Sequence, residues 1–160
     1  MIQDINVSAL LSRRPNALAV IKGGRDFPNI RGQVYFYQIN AGVIVVAKIS
    51  GLPFEKDPCK KSIFGFHIHE GESCAGTEAD EFRMTGMHYN PKGCEHPYHA
   101  GDMPPLFGNN GIAFSAFLTD RFTLREVMGK AVVIHRNPDD FVSQPSGNAG
   151  TKIACGIIKQ

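Results

Sequence analysis

Short apolar runs alternate along the chain with clusters of Gly, Pro, Asn and Asp. The runs cover residues 17–21, 32–38, 42–52, 64–69, 111–118, 131–135 and 153–158. Most are about five to eight residues long and rich in Val, Ile, Phe and Tyr, side chains that suit a pleated, half-buried surface. Turn clusters such as Gly23-Gly24, Asn40-Ala41-Gly42 and Asn137-Pro138-Asp139 separate them. Asn110-Gly111, between two apolar runs, predicts a tight turn. Only residues 123–129 suggest a helix, with Thr123 as the cap of 124–128. Seven or eight short strands with frequent turns predict an all-β sandwich or closed barrel.

Two stretches break this rhythm. Residues 70–106 are long and almost without strand pattern, and residues 136–151 form a shorter stretch of the same kind. A loop of that length in a compact domain is a functional loop or else argues against the assignment. Something other than a hydrophobic core must hold it.

Composition narrows the class. At 160 residues the chain predicts one domain over 1–160, with 1–16 as an N-terminal extension. A 42% apolar share is enough for a core, and 17 glycines with 10 prolines suit many turns. The net charge is only +2 and Lys and Arg are scattered, which speaks against a nucleic-acid partner. No segment approaches the roughly 20 apolar residues of a membrane span. The longest apolar stretch near the start is Ala9-Leu10-Leu11, followed by the basic pair, which is not a secretory signal. The expectation is therefore a cytoplasmic protein, or a periplasmic or secreted one if an upstream signal was removed. Cys59, Cys74, Cys94 and Cys155 allow three fully paired connectivities, and counting alone leaves a disulfide at even odds.

Five of the six histidines fall between positions 67 and 99. In Phe64-Gly65-Phe66-His67-Ile68-His69, strand alternation puts Phe64, Phe66 and Ile68 on one face and the two imidazoles on the other, outside the core. Two such rings lie roughly 7 Å apart at the backbone, close enough to converge on one ion. Taken alone, the motif also fits two exposed strand histidines. His88, His96, His99 and Asp102 supply four N and O donors within fifteen residues, the number a tetrahedral zinc takes. Pro91, Gly93, Pro97 and Gly101 let that loop curl. His135 closes an apolar strand and, taken alone, reads as an ordinary strand-end histidine.

Phe66-His67-Ile68-His69-Glu70, Gly86-Met87-His88-Tyr89-Asn90-Pro91, His99-Ala100-Gly101-Asp102, Val133-Ile134-His135 and residues 147–156 together resemble the copper/zinc superoxide dismutases. The resemblance runs in family order from about residue 17 to the C-terminus. It implies a Greek-key eight-stranded barrel with two long functional loops, and dismutation of superoxide to dioxygen and hydrogen peroxide. Copper would be bound by His67, His69, His88 and His135, and zinc by His88, His96, His99 and Asp102. His88 would bridge the two ions and serve as the catalytic proton carrier. Asp139 matches the carboxylate that orients one histidine of each set. Cys74 and Cys155 match the disulfide that ties the long loop to the last strand. The implied partner is the superoxide anion, and a homodimer is left open.

Some positions depart from the family. Lys152 stands where the family carries an arginine beside copper, which replaces a rigid fork of donors with one mobile point charge. The segment 141–146 carries no charge, so anion focusing is expected to be weaker or to fall to Lys60, Lys61 or Arg136. Cys59 and Cys94 are extra, and Cys94 is near enough to His96 to compete for a metal or to pair with Cys59. These departures keep an alternative in view: a copper- and zinc-binding relative with weak or no dismutase activity.

Overall fold

The computed structural model describes residues 7–60 and 62–160. Strands β1 (Ala17–Gly23), β2 (Arg31–Ile39) and β3 (Gly42–Ser50) form an antiparallel meander. β4 (Ile63–Phe64) and β5 (Phe66–His69) are two halves of one predicted run, separated at Gly65. β6 (Leu106–Phe107), β7 (Ile112–Thr119), β8 (Ala131–His135) and β9 (Lys152–Lys159) complete the set. The seven-stranded sheet runs β5-β8-β9-β1-β2-β3-β7, so the last strand lies beside the first. β4 pairs β6, and β6 turns into β7 through Asn109 and Ile112, which bond each other N–H to O at 2.7 and 3.1 Å. Counting β4 and β5 as one strand gives the eight staves of the expected barrel. The turn is the predicted one: Asn110 and Gly111 both have positive φ, 50° and 83°, as a twist-matched hairpin turn demands.

Alternation explains the core. Ala19, Ile21, Val34, Phe36, Val45, Ala47, Phe64, Phe66, Ile68, Val132, Ile134 and Ile158 pack in one interior cluster. The predicted helix is a single turn, α2 (Leu124–Val127), where the Glu126 carboxylate accepts from both the N–H and the hydroxyl of Thr123. A short helix that the sequence reading did not foresee, α1 (Val7–Leu11), precedes β1. Its Leu10 covers Tyr37, Ile44 and Val46 on the outside of the barrel. No helix among the described residues is long and apolar enough to cross a membrane.

The 70–106 stretch is not a free loop. The edge of β5 that faces away from β8 is completed by it: Ile68 N–H donates to Gly101 O and Tyr89 N–H to Ile68 O, both at 2.8 Å. Glu70 N–H likewise donates to Met87 O at 2.9 Å. A disulfide joins Cys74 to Cys155 of β9 across 81 residues, with 5.8 Å between the Cα atoms. Phe82 anchors the same loop by packing on Ala131, Val133 and Cys155.

Candidate metal centre

The loop that finishes the β5 edge also delivers the donors. Its backbone pairing sets His88 opposite His69 and Asp102 opposite His67. From the other side β8 pairs Phe66 with Ile134, and the β8–β9 pairing shifts register between Ile134 and His135, at the site. His67 and His69 lie on the face opposite Phe66 and Ile68, as alternation predicts. They are outside the hydrocarbon cluster but not exposed: His67 is 0% and His69 2% accessible, because the loop roofs them.

Two groups of donors result. Ligand atoms of His67, His69, His88 and His135 lie within 4.8 Å of one another, and so do those of His88, His96, His99 and Asp102. Every histidine of the chain is used, and His88 belongs to both.

Hydrogen bonds fix the tautomers. Asp139 accepts from His67 Nε2 through Oδ2 at 2.6 Å and from His96 Nε2 through Oδ1 at 2.9 Å, so the Nδ1 atoms of both rings are bare. His69 Nδ1 donates to Gly86 O at 2.9 Å and His135 Nδ1 to Gly150 O at 3.1 Å, which leaves both Nε2 atoms bare. His88 Nδ1 lies 2.8 Å from Asp102 Oδ1. His67 Nδ1, His88 Nε2, His96 Nδ1 and His99 Nδ1 are buried without a hydrogen-bond partner. His96 Nδ1 and His99 Nδ1 are nevertheless 3.1 and 3.3 Å from Asp102 Oδ2. At His96 the ring's proton is on Nε2, so its bare Nδ1 faces a carboxylate oxygen. Buried polar atoms are nearly always satisfied, and one left alone costs about 1–3 kcal/mol. Convergent bare N and O donors are the chemistry of a divalent transition-metal ion, so the residues fit the implied metals.

The titration behaviour agrees. Burial pushes His67 down to about 4 despite its bond to Asp139, and burial with neighbouring imidazoles pushes His135 down to about 3. His69 is well below its ordinary value and His99 below it, in both cases chiefly through burial. Burial alone would raise Asp139, but hydrogen bonds from His67, His96 and the Phe141 N–H outweigh it and hold the group far below the carboxylate range. At neutral pH these four rings, His67, His69, His99 and His135, are neutral.

Several supporting residues carried no signal in the sequence. Gln144, in the uncharged loop, clamps His96 by accepting from its N–H at 2.9 Å and donating to its carbonyl at 2.7 Å. Arg121 donates to Pro97 O at 2.8 Å and His99 O at 3.3 Å. Gly147, at φ 65°, passes so close to Asp139 that an added Cβ would lie 2.1 Å from its Oδ1. Lys152 opens β9 in register with His135, and its Nζ donates to Phe82 O at 3.2 Å. Cys59 and Cys94 are exposed free thiols, not a pair. Lys60 sits 3.8 Å from Glu55 and Arg136 is exposed, while Lys61 lies outside the described residues.

Comparison with known proteins agrees with this geometry. The copper/zinc superoxide dismutase family model matches residues 30–158. A relative from Aquifex aeolicus (strain VF5), superoxide dismutase [Cu-Zn] 2, is 34% identical over 158 residues, covering 87% of each chain. Superoxide dismutase [Cu-Zn] 1 of the same organism is 34% identical over 80% of this chain and 79% of its own. Superoxide dismutase [Cu-Zn] of Photobacterium leiognathi is 32% identical over 80% of this chain and 78% of its own.

Proposed function

The chain belongs to the copper/zinc superoxide dismutase family, and on that premise we propose that its two donor sets hold copper and zinc and that it dismutates superoxide. Two superoxide anions and two protons become one dioxygen and one hydrogen peroxide. Bound copper would supply the one-electron acceptor and donor for this exchange, and bound zinc a structural anchor.

The protein's part is to place donors, fix protons and admit an anion. His67 Nδ1, His69 Nε2, His88 Nε2 and His135 Nε2 make up the copper set. His88 Nδ1, His96 Nδ1, His99 Nδ1 and Asp102 make up the zinc set. Asp139 fixes the tautomer of one histidine in each set, so the two sites are oriented together. His88 Nε2 is the atom that holds a proton and passes it to the second superoxide. Lys152 offers the positive charge that draws the substrate, without the two-pronged grip an arginine would give. The Cys74–Cys155 bond favours the periplasmic or secreted alternative over a cytoplasmic one.

The observation that carries this reading is the sharing of His88. One ring nitrogen faces the carboxylate set, and the other is buried without a partner. The test is metal content and superoxide consumption on the same reconstituted sample. One copper and one zinc per chain, with activity lost in His135→Ala, is the expected result. Zinc alone, or both metals without activity, would refute the dismutase reading.

A further inference from the structure

Lys152 is not free to meet an anion. Its Nζ lies 3.8 Å from Asp80 Oδ2 and donates to the Phe82 carbonyl, and its side chain is only 18% exposed. Asp80 is itself held. Its backbone N–H donates to Thr77 Oγ1 at 3.1 Å, and its Oδ1 accepts from the Phe82 N–H at 3.3 Å. Phe82 is pinned in turn against Ala131, Val133 and Cys155, beside the disulfide. The carboxylate is therefore presented to Lys152 by a braced turn rather than by a swinging surface chain.

The rest of that cleft repeats the pattern. Its charged lining is Arg25 and Lys152 against Asp26, Glu78, Asp80 and Glu81. Arg25 is engaged as well: its backbone N–H donates to Glu81 Oε2 at 2.8 Å, its Nε lies 3.7 Å from the same oxygen, and its guanidinium donates to Glu78 O at 2.9 Å. The cleft that borders Lys152 thus holds more carboxylates than cations. An approaching anion meets compensated positive charge, and carboxylates that repel it.

We propose that Asp80 is a positioning residue that governs anion access to the metal centre: it holds the Lys152 ammonium against Phe82 and competes with the incoming anion for it. This rests on the copper reading of the site. The departure from arginine at residue 152 then has a structural counterpart, since the single charge a lysine offers is already answered by a neighbour.

Azide, a small anion that coordinates Cu(II), serves as the probe on copper- and zinc-loaded protein, with its dissociation constant read from the absorption band it produces. Asp80→Asn keeps the Oδ1 that accepts the Phe82 N–H and removes the charge. Azide affinity is expected to rise about two- to five-fold at low ionic strength, the range of a partly exposed ion pair, and to converge on wild type in high salt. Asp80→Glu should restore wild-type affinity. Glu55→Gln, which removes the same charge beside Lys60 outside the cleft, should leave it unchanged. In a Lys152→Met background, Asp80→Asn should have no effect, because the coupling runs through the ammonium. An unchanged azide affinity in Asp80→Asn, or a gain that persists without Lys152, overturns the proposal. A wild-type protein that takes up no copper would instead defeat the metal reading beneath it.

Discussion

The Nε2 atoms of His69 and His135 face each other at 3.1 Å, and neither carries a proton. Each ring gives its one proton, on Nδ1, to a carbonyl that can only accept: Gly86 O for His69 and Gly150 O for His135. Two lone pairs at hydrogen-bond distance with no hydrogen between them repel. The contact is stable when a cation shares both pairs or a proton enters, and burial opposes the proton. The pocket is pre-arranged for metal at a cost to the metal-free protein.

That cost should appear as acid sensitivity of the metal-free protein. In the unfolded chain these imidazoles take up protons below about pH 6.5. In the fold His67 waits until about 4 and His135 until about 3. Between those values the unfolded state binds more protons, so stability falls as pH drops from about 6.5 toward 3, by about 1.4 kcal/mol per unit for each group. Asp139, held low in the fold, adds a further loss below the ordinary carboxylate value of 3.8. Denaturant unfolding of the apo protein between pH 7 and 4 should show the decline, and a flat profile would contradict buried neutral histidines.

Chelation should lower the melting temperature substantially. Ligand saturation at about a thousand times its dissociation constant stabilises by about 4 kcal/mol, and for a chain of this size each kcal/mol is worth roughly 2–4 °C. A drop of about 10 °C or more is expected by calorimetry. The roofing loop around residues 86–102 should become the first site of proteolysis. Equal melting temperatures with and without chelator would mean that the loop orders itself.

Asp139→Asn should weaken metal binding through whichever of His67 and His96 loses its acceptor. The amide has one acceptor oxygen where the carboxylate has two, so it cannot accept from His67 and His96 together while also receiving the Phe141 N–H. One ring then loses its fixed tautomer. Metal competition titrations should show affinity reduced about 10- to 100-fold, with the melting temperature of the apo protein changed far less.

Alkylation of the native protein without reductant should label Cys59 and Cys94 and spare Cys74 and Cys155. Replacing both members of the pair by serine should cost about 2–5 kcal/mol in unfolding free energy. It should also loosen the turn that presents Asp80, since the bond and Phe82 share one small cluster. Mass spectrometry of the labelled peptides decides the first point.

Lys152→Arg should raise kcat/KM for superoxide without changing metal content. The guanidinium can hold the Phe82 carbonyl and still present a second N–H to the anion, which the ammonium can do only by moving. A rate that stays level would assign the anion's attraction to other residues.

The barrel, the Asn110-Gly111 turn, the His67/His69 pair and the cluster of His88, His96, His99 and Asp102 could be read along the chain from local rules. Joining His88 and His135 to the first pair came only from the resemblance to the copper/zinc superoxide dismutases. Strand alternation places His67 and His69 on one face, and proximity in sequence gathers His88, His96, His99 and Asp102. What the chain could not display is anything that depends on segments meeting. The burial of His67 and His69 comes from residues 86–102 completing the free edge of β5, since an unpaired strand edge takes whatever backbone can satisfy it. Gln144 on His96, Arg121 on the Pro97 and His99 carbonyls, and Leu10 on the outer sheet face are likewise contacts between distant stretches with no periodic signature. The pairing of Asp80 with Lys152 joins residues distant in the chain, through a turn that looks in sequence like plain acidic loop. Periodicity thus outlined the scaffold and two groups of candidate donors, and the family resemblance completed the metal-binding set. Tertiary structure alone decided which nitrogens are bare, how deeply they lie, and which carboxylate stands against the Lys152 ammonium.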